Sequence, residues 1–344
     1  MTNPEIDIAL LGGGGGLPFV LESIYRDSEA SGLSIVTLNS TADSGGSSGG
    51  MRNDNPGMWP PGDFIKTLAA SAKEPTFKGY SSARDGLGDS YGNKMFRDLF
   101  KSFRKGAERG VEDWSNPNSA ALDFIARHVD AQAVAMSMLE YPSVLSMDMD
   151  GERVVEGEYA VTAHKSYDQA VGRYGFSLEE VIEEEGGSVR RLAEVTQEAK
   201  GALMQADNIV LAPSHTAGTM MQLVTPFITS FSEEERAHLS GNTTMMMGSV
   251  NPPNMRYFTA ADHMRMVARA SGMRPARMII PRGSEIELGA VGDDVEVVET
   301  DEVRQRNGEI DVNNPCRDDK PNVIYPQHIG RELLDILGVE LVSV

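Results

Sequence analysis

The spacing of apolar residues changes along this chain, and those changes predict its elements. Ile6-Asp7-Ile8-Ala9-Leu10-Leu11 is almost wholly apolar and runs into five glycines, as a strand buried on both faces of a parallel sheet does. Beyond Gly12–Gly16, the spacing of Leu17, Val20, Leu21 and Ile24 predicts a helix over 17–30, and a second strand follows over 33–39. A β-loop-α-β opening of this kind predicts an α/β fold on a doubly wound, mostly parallel sheet. Segment 41–61, rich in Gly, Ser, Asn and Pro, reads as one long loop, with Asp63 as the N-cap of a helix over 64–71.

Helical spacing over 94–105 and 120–139 predicts a helical insertion at about 94–140. Alternation over 153–164 predicts a small β arm at about 143–164, and the acidic run 179–185 reads as a solvated helix face. The α/β rhythm then returns. Strands are expected over 208–211, 244–247 and 277–280, and helices over 192–205, from 219, over 259–270 and over 329–337. All of 1–344 is expected to form one domain.

Charge narrows the partners. Lys and Arg number 31 against 51 Asp and Glu, a formal net charge of −20. A surface this acidic repels polyanions, so no nucleic acid and no anionic membrane is expected as a partner. No apolar run approaches the ~20 residues that span a bilayer. The start, Met1-Thr2-Asn3-Pro4-Glu5, lacks the basic segment of a signal peptide. The single cysteine, Cys316, has no internal disulfide partner, and a cytoplasmic location is the expectation. No Cys/His cluster has zinc-ligand spacing.

Two segments carry candidate chemistry. Gly12, Gly13, Gly14, Gly15 and Gly16 join a strand to a helix, so the backbone can approach a ligand without Cβ clashes. Their N–H groups and the helix N-terminus would meet an anion at one point. The bland alternative is a flexible turn. A dinucleotide fingerprint would need a third glycine where Leu17 stands, and an acid where Asn39 and Ser40 end the second strand. A Walker loop would need a lysine, and this loop has none. The second segment, 41–63, follows the second strand and so lies on the same edge of the sheet. There Asp43 is a candidate for Mg²⁺ or a ligand hydroxyl, Ser47 and Ser48 for phosphate oxygens, and Arg52 for positive charge. A disordered linker is its bland alternative.

These residues resemble the CofD/YvcK family of 2-phospho-L-lactate transferases and gluconeogenesis factors, and the YvcK-like branch above all. That pattern runs G-G-G-T-G-L, A-D-D-G-G-S-S-G-x-L-R and P-P-G-D, and is similar to Gly12–Leu17, Ala42–Arg52 and Pro60–Asp63 here. Gly15 replaces the threonine and Ser44 the second aspartate. Gly88–Asn93, Gly151–Glu158 and Phe258–His263 resemble further family stretches in order. The second anion loop, G-P-G-S-x-x-T-S in the family, departs as Ala212-Pro213-Ser214-His215-Thr216-Ala217-Gly218-Thr219.

The resemblance implies a Rossmann-like core binding a nucleoside diphosphate or nucleotide sugar. The expected ligand contacts are the five glycines, Asp43, Ser47, Ser48, Arg52, Asp63, Asn93, Ser214, His215 and Thr219. Mg²⁺ on Asp43 is the one cofactor expected. The favoured activity is that of a UDP-sugar-binding regulator of carbon metabolism and the cell envelope. Its competitor is a Mg²⁺-dependent transferase moving a phospholactate-type group from a guanosine diphosphate donor to a deazaflavin. No catalytic residue is assigned, and a homodimer stays open. Asp262 and His263 are candidates for an acid/base or metal pair, but adjacent residues point to different helix faces, so a salt bridge or packing contact is the favoured reading.

Overall fold

A computed structural model describes residues 6–13, 16–27, 32–42, 46–73, 77, 90–162, 174–184, 186–247, 258–282, 287–300 and 329–339, without the side chains of 27, 46–49, 113, 159 and 162. Eleven strands follow in order: β1 Ile6–Leu11, β2 Ile35–Asn39, β3 Val134–Ser137, β4 Ser143–Met149, β5 Glu152–Glu156, β6 Tyr174–Glu184, β7 Gly187–Leu192, β8 Ala206–Leu211, β9 Thr243–Met246, β10 Arg277–Pro281 and β11 Glu296–Thr300. The helices among the described residues are α1 Gly16–Asp27, α2 Gly46–Asp54, α3 Pro61–Ser71, α4 Tyr91–Ala107, α5 Pro117–His128, α6 Glu158–Thr162, α7 Gln197–Gln205, α8 Met221–Val224, α9 Phe227–Ser230, α10 Glu233–Asn242, α11 Ala260–Ser271 and α12 Ile329–Leu337. Short 3₁₀ and π turns supplement them.

Seven strands form one sheet in the order β11-β10-β9-β8-β1-β2-β3, every pairing parallel. The doubly wound expectation holds. Alternate side chains of each inner strand enter cores on opposite faces: Ala9, Leu11, Ile209 and Leu211 on one, Ile8, Leu10 and Val210 on the other. This two-sided burial explains why β1 is apolar almost throughout. A third core, with Trp59, Phe64, Phe96 and Phe100, lies among α3, α4 and α5. α12 closes over α1, where Gly330 N–H donates to Ser23 Oγ at 2.9 Å.

A second sheet is antiparallel, in the order β5-β4-β6-β7. The expected arm is thus larger and differently bounded. The stretch read as alternating, 153–164, yields only β5 before Glu158–Thr162 turns helical, and the other half of the sheet comes from 174–192. Of the acidic run 179–185, residues 179–184 are the end of strand β6, not a helix face. Tyr174, Leu178 and Glu180 stand on its buried side, the period-2 signature of a half-buried strand.

Other boundaries moved for identifiable reasons. The helical insertion ends at His128, because Asp130 takes a left-handed conformation (φ 49°) and Val134–Ser137 pairs with β2. Leu192 closes β7, and the helix expected from there begins at Gln197, capped by Thr196. Asp63 is not an N-cap. Pro60 occupies that position and Pro61 starts α3 with its preset φ, which places Asp63 inside the first turn. The expected loop 41–61 contains α2, although glycine disfavours helix. Tertiary anchoring overrides the propensity: Met51 is buried, Asn55 Nδ2 donates to the Met51 carbonyl at 2.7 Å, and Arg52 reaches the Ser143 carbonyl at 3.0 Å.

Candidate functional site

Strand order reverses between β1 and β8: chain order runs outward to β2 and β3 on one side and to β9, β10 and β11 on the other. The loops after β1 and β8 therefore leave the sheet in diverging directions and open a crevice at its carboxyl edge, where ligands of open α/β sheets bind. Both loops begin tied to the sheet. Gly12 N–H donates to the Leu38 carbonyl at 3.3 Å, and Ala212 N–H to the Leu11 carbonyl at 2.8 Å.

The glycines are enforced by close approach. A Cβ on Gly16, the first residue of α1, would lie 1.6 Å from the Pro213 carbonyl oxygen. One on Gly13 would lie 2.4 Å from Asp63 Oδ2 and 2.9 Å from the Thr219 methyl. The backbone of the first loop is thus packed against the β8 loop on one side and the α3 carboxylate on another. Gly12 is likewise closed, by Leu17 and Ala212. Gly14 and Gly15 lie outside the described residues, as does Asp43.

Asp63 is buried, in the first turn of α3. Thr67 holds that turn to the sheet: its hydroxyl lies 2.8 Å from the Asp63 carbonyl and 3.0 Å from Asn39 Oδ1 at the end of β2. No ion pair engages Asp63 among the described residues. The structure therefore brings Gly13, Gly16, Asp63, Pro213 and Thr219 to one place.

The second loop contributes buried polar atoms. His215 caps the π-helical turn Thr216–Met220, its Nδ1 accepting from Gly218 N–H at 2.9 Å. His215 Nε2 and Ser214 Oγ are buried without a hydrogen-bond partner. Burial, with a smaller contribution from neighbouring His263, pulls the His215 pKa down to about 3, so the ring is neutral at pH 7. His263, at the start of α11, is fully buried, with Nδ1 2.8 Å from Thr216 Oγ1 and Nε2 unpartnered. Burial lowers its pKa to about 4 against the opposing pull of Asp262.

Other expected contacts lie apart. Arg52 donates from Nη1 to the carbonyls of Thr41 (3.4 Å) and Ser143 (3.0 Å), which ties α2 to β4. Asn93 is buried in the first turn of α4, where its N–H receives the Ser90 cap at 3.1 Å, and no described contact joins it to the glycine loop. Ser47 and Ser48 fall in α2, their side chains outside the description. Asp262 is structural, in a reciprocal cap with Thr259 and paired with Arg265. The residue near the site that the sequence reading set aside as a salt bridge or packing contact is His263. Its signal was its place four residues after the Thr259 cap, on the face that buries Ala260, Met264 and Val267. Among the described residues no group of three His, Cys, Asp or Glu could hold a metal ion.

A family model described as 2-phospho-L-lactate transferase CofD matches residues 8–315. The chain belongs to the CofD family. The gluconeogenesis factor of Bacillus subtilis is 23% identical to this CofD-family chain over 273 residues, 77% of this chain and 75% of its own length. A Nostoc sp. protein given the same factor name provisionally is 26% identical over 275 residues, 78% of this chain and 52% of its own, so the chain spans about half of that relative. A UPF0052-family protein of Bacillus halodurans superposes with a TM-score of 0.65 at 17% identity, over 88% of this chain and 94% of its own. That likeness is one of fold. No helix among the described residues is long and apolar enough to cross a membrane.

Proposed function

We propose that this CofD-family chain binds a nucleoside diphosphate ligand of the UDP-sugar type in the β1/β8 crevice and acts as a gluconeogenesis-factor-like regulator. One observation carries the reading: at the switch point, Gly13 and Gly16 keep their backbone too close to Asp63 and Pro213 for any side chain. Main-chain N–H groups at the start of α1 would meet the diphosphate there, as helix N-termini meet anions. The chain's net charge of −20 makes such local donors necessary.

The donor set suits a divalent cation such as Mg²⁺. Asp63 is a buried carboxylate without an ion pair among the described residues, and Asp43 comes four positions after the end of β2 in the sequence. Bound there, the cation would offset charge between carboxylate and diphosphate. The family description favours a second reading, a transferase moving a phospholactate-type group from a guanosine diphosphate donor to a deazaflavin.

A thermal-shift series separates the two. UDP-sugars, GDP, GTP and NAD would each be added with and without Mg²⁺, to wild type and to Asp63→Asn. Ligand at 100 times its Kd adds about 2.7 kcal/mol to folding stability. Stabilisation by UDP-sugars, reduced in Asp63→Asn, is the expected outcome. Stabilisation by guanosine nucleotides alone, with Mg²⁺, would transfer the assignment to the transferase. No shift with any of them would sink both.

A further inference from the structure

We propose that His215 is a neutral hydrogen-bond donor to a diphosphate oxygen of the ligand, with its proton fixed on Nε2 by the Gly218 amide. The proposal rests on the crevice being a diphosphate site and assigns this chain's departure from the family loop a role within it.

A neutral imidazole carries one N–H and one lone pair. Gly218 N–H donates to His215 Nδ1 at 2.9 Å, so the lone pair is on Nδ1 and the hydrogen on Nε2. That Nε2–H is buried and has no acceptor, and neither does the adjacent Ser214 Oγ. A buried donor without an acceptor is unfavourable and calls for a cause. Here the loop begins at Pro213, whose carbonyl abuts Gly16, and ends at Thr219, whose methyl abuts Gly13. The unpaired donor thus sits on the loop that packs against the two glycines. Solvent does not reach Nε2, so the side chains covering it part as an acceptor enters.

The tautomer excludes the other roles open to a histidine. A general base would need its lone pair on Nε2, where the proton sits. A metal-ligating imidazole donates from its other nitrogen, and here that nitrogen accepts from Gly218. A cation would require protonating Nδ1 against the Gly218 N–H, in a buried site beside His263. Donation to an acceptor oxygen is what remains.

Asparagine places an acceptor where Nδ1 lies and caps well, but it has no counterpart of Nε2. H215N should therefore melt as wild type does and bind inorganic pyrophosphate and UDP-glucose about tenfold or more weakly. Imidazole ¹⁵N spectra of the wild type should show the Nε2–H tautomer, with no titration between about pH 5 and 8. Equal pyrophosphate binding by H215N and wild type, or an Nδ1–H tautomer, would overturn the proposal. Loss confined to UDP-glucose would overturn the assignment to the diphosphate. Should H215N fail to fold, H215Q, which keeps an amide donor near the Nε2 position, must lose less than tenfold in pyrophosphate affinity. A larger loss counts against the proposal. If wild type binds neither probe, the diphosphate reading of the crevice fails, and the tautomer is still read from the unliganded protein.

Discussion

The small antiparallel sheet and the β1/β8 crevice treat their ionisable groups in opposite ways. In the sheet, Glu180 is fully buried and fully used. Its Oε1 accepts from the N–H groups of Glu140 and Tyr141, both at 3.1 Å, and its Oε2 from Arg191 Nε at 3.0 Å. Burial still raises its pKa, against the pull of those partners. Nearby, Arg190 grips Glu156 with two bonds of 2.7 and 2.9 Å. In the crevice, by contrast, Ser214, His215 and His263 each bury a polar atom with no hydrogen-bond partner among the described residues. The sheet also buries Ser146 Oγ and Ser177 Oγ without hydrogen-bond partners, so the contrast lies in the ionisable groups. Glu156, Glu179 and Glu180 are paired, whereas each crevice histidine keeps one ring nitrogen unpaired among the described residues, as a site awaiting a ligand can.

The hardest test of that contrast is Gly16→Ala. Its Cβ would meet a backbone oxygen, which cannot rotate away as a side chain could, so the β8 loop or the start of α1 must move. A cost of about 3 kcal/mol is expected, the upper part of the range for overpacking. Urea unfolding would measure it. Nucleotide-induced stabilisation should vanish with it, and a variant that keeps both stability and ligand response would show that the close approach is not needed.

How much of this was legible beforehand differs between the same two regions. β1, the glycine loop and β2 were readable because two-sided burial and close approach each demand a residue type: apolar throughout for Ile6–Leu11, no Cβ for Gly13 and Gly16. α12 was placed at 329–337 by its apolar spacing alone. The antiparallel sheet was misread because Glu180 is an acid among acids. Only Arg191 and the 140–141 backbone, brought in by pairing, make it a core residue. Arg52's tie to the sheet was hidden for a related reason. An arginine after a Gly/Ser tract suggests an anion, and the carbonyls that claim it come partly from β4, 91 residues away. Asp63 was singled out for the right neighbourhood with the wrong local role, since two prolines start α3 ahead of it.

Glu180→Ala addresses the saturated side. It removes the acceptor of two main-chain N–H groups and leaves Arg191, half-exposed, to solvent. About 2 kcal/mol of stability should be lost, since the stranded N–H groups carry most of the cost. Ligand response should be untouched, because Glu180's hydrogen-bond partners are Glu140, Tyr141 and Arg191, none of them on the glycine loop or the β8 loop. A drop in nucleotide affinity at constant stability would mean that the two regions are coupled and the division is false.

The smallest effect separates them by pH. Both buried histidines have folded pKa values far below the usual 6.5, at about 3 for His215 and about 4 for His263. The unfolded chain therefore takes up their protons first as pH falls. Their neutral burial is without cost above about pH 6.5, and below it each histidine removes about 1.4 kcal/mol of stability per pH unit, until its folded pKa is reached. Glu156 behaves differently. Its hydrogen bond to Arg190 holds its pKa below the ordinary value, so its contribution is present above the usual carboxylate range and is lost only as pH falls through its lowered folded pKa. Between about pH 6.5 and 5 the two histidines thus contribute and Glu156 does not. Urea unfolding across it should show a slope of up to two protons, reduced by about one in His263→Leu and unchanged in Glu156→Gln. An unchanged slope in His263→Leu would mean that His263 titrates normally in the folded chain and that its part of the crevice is already wet.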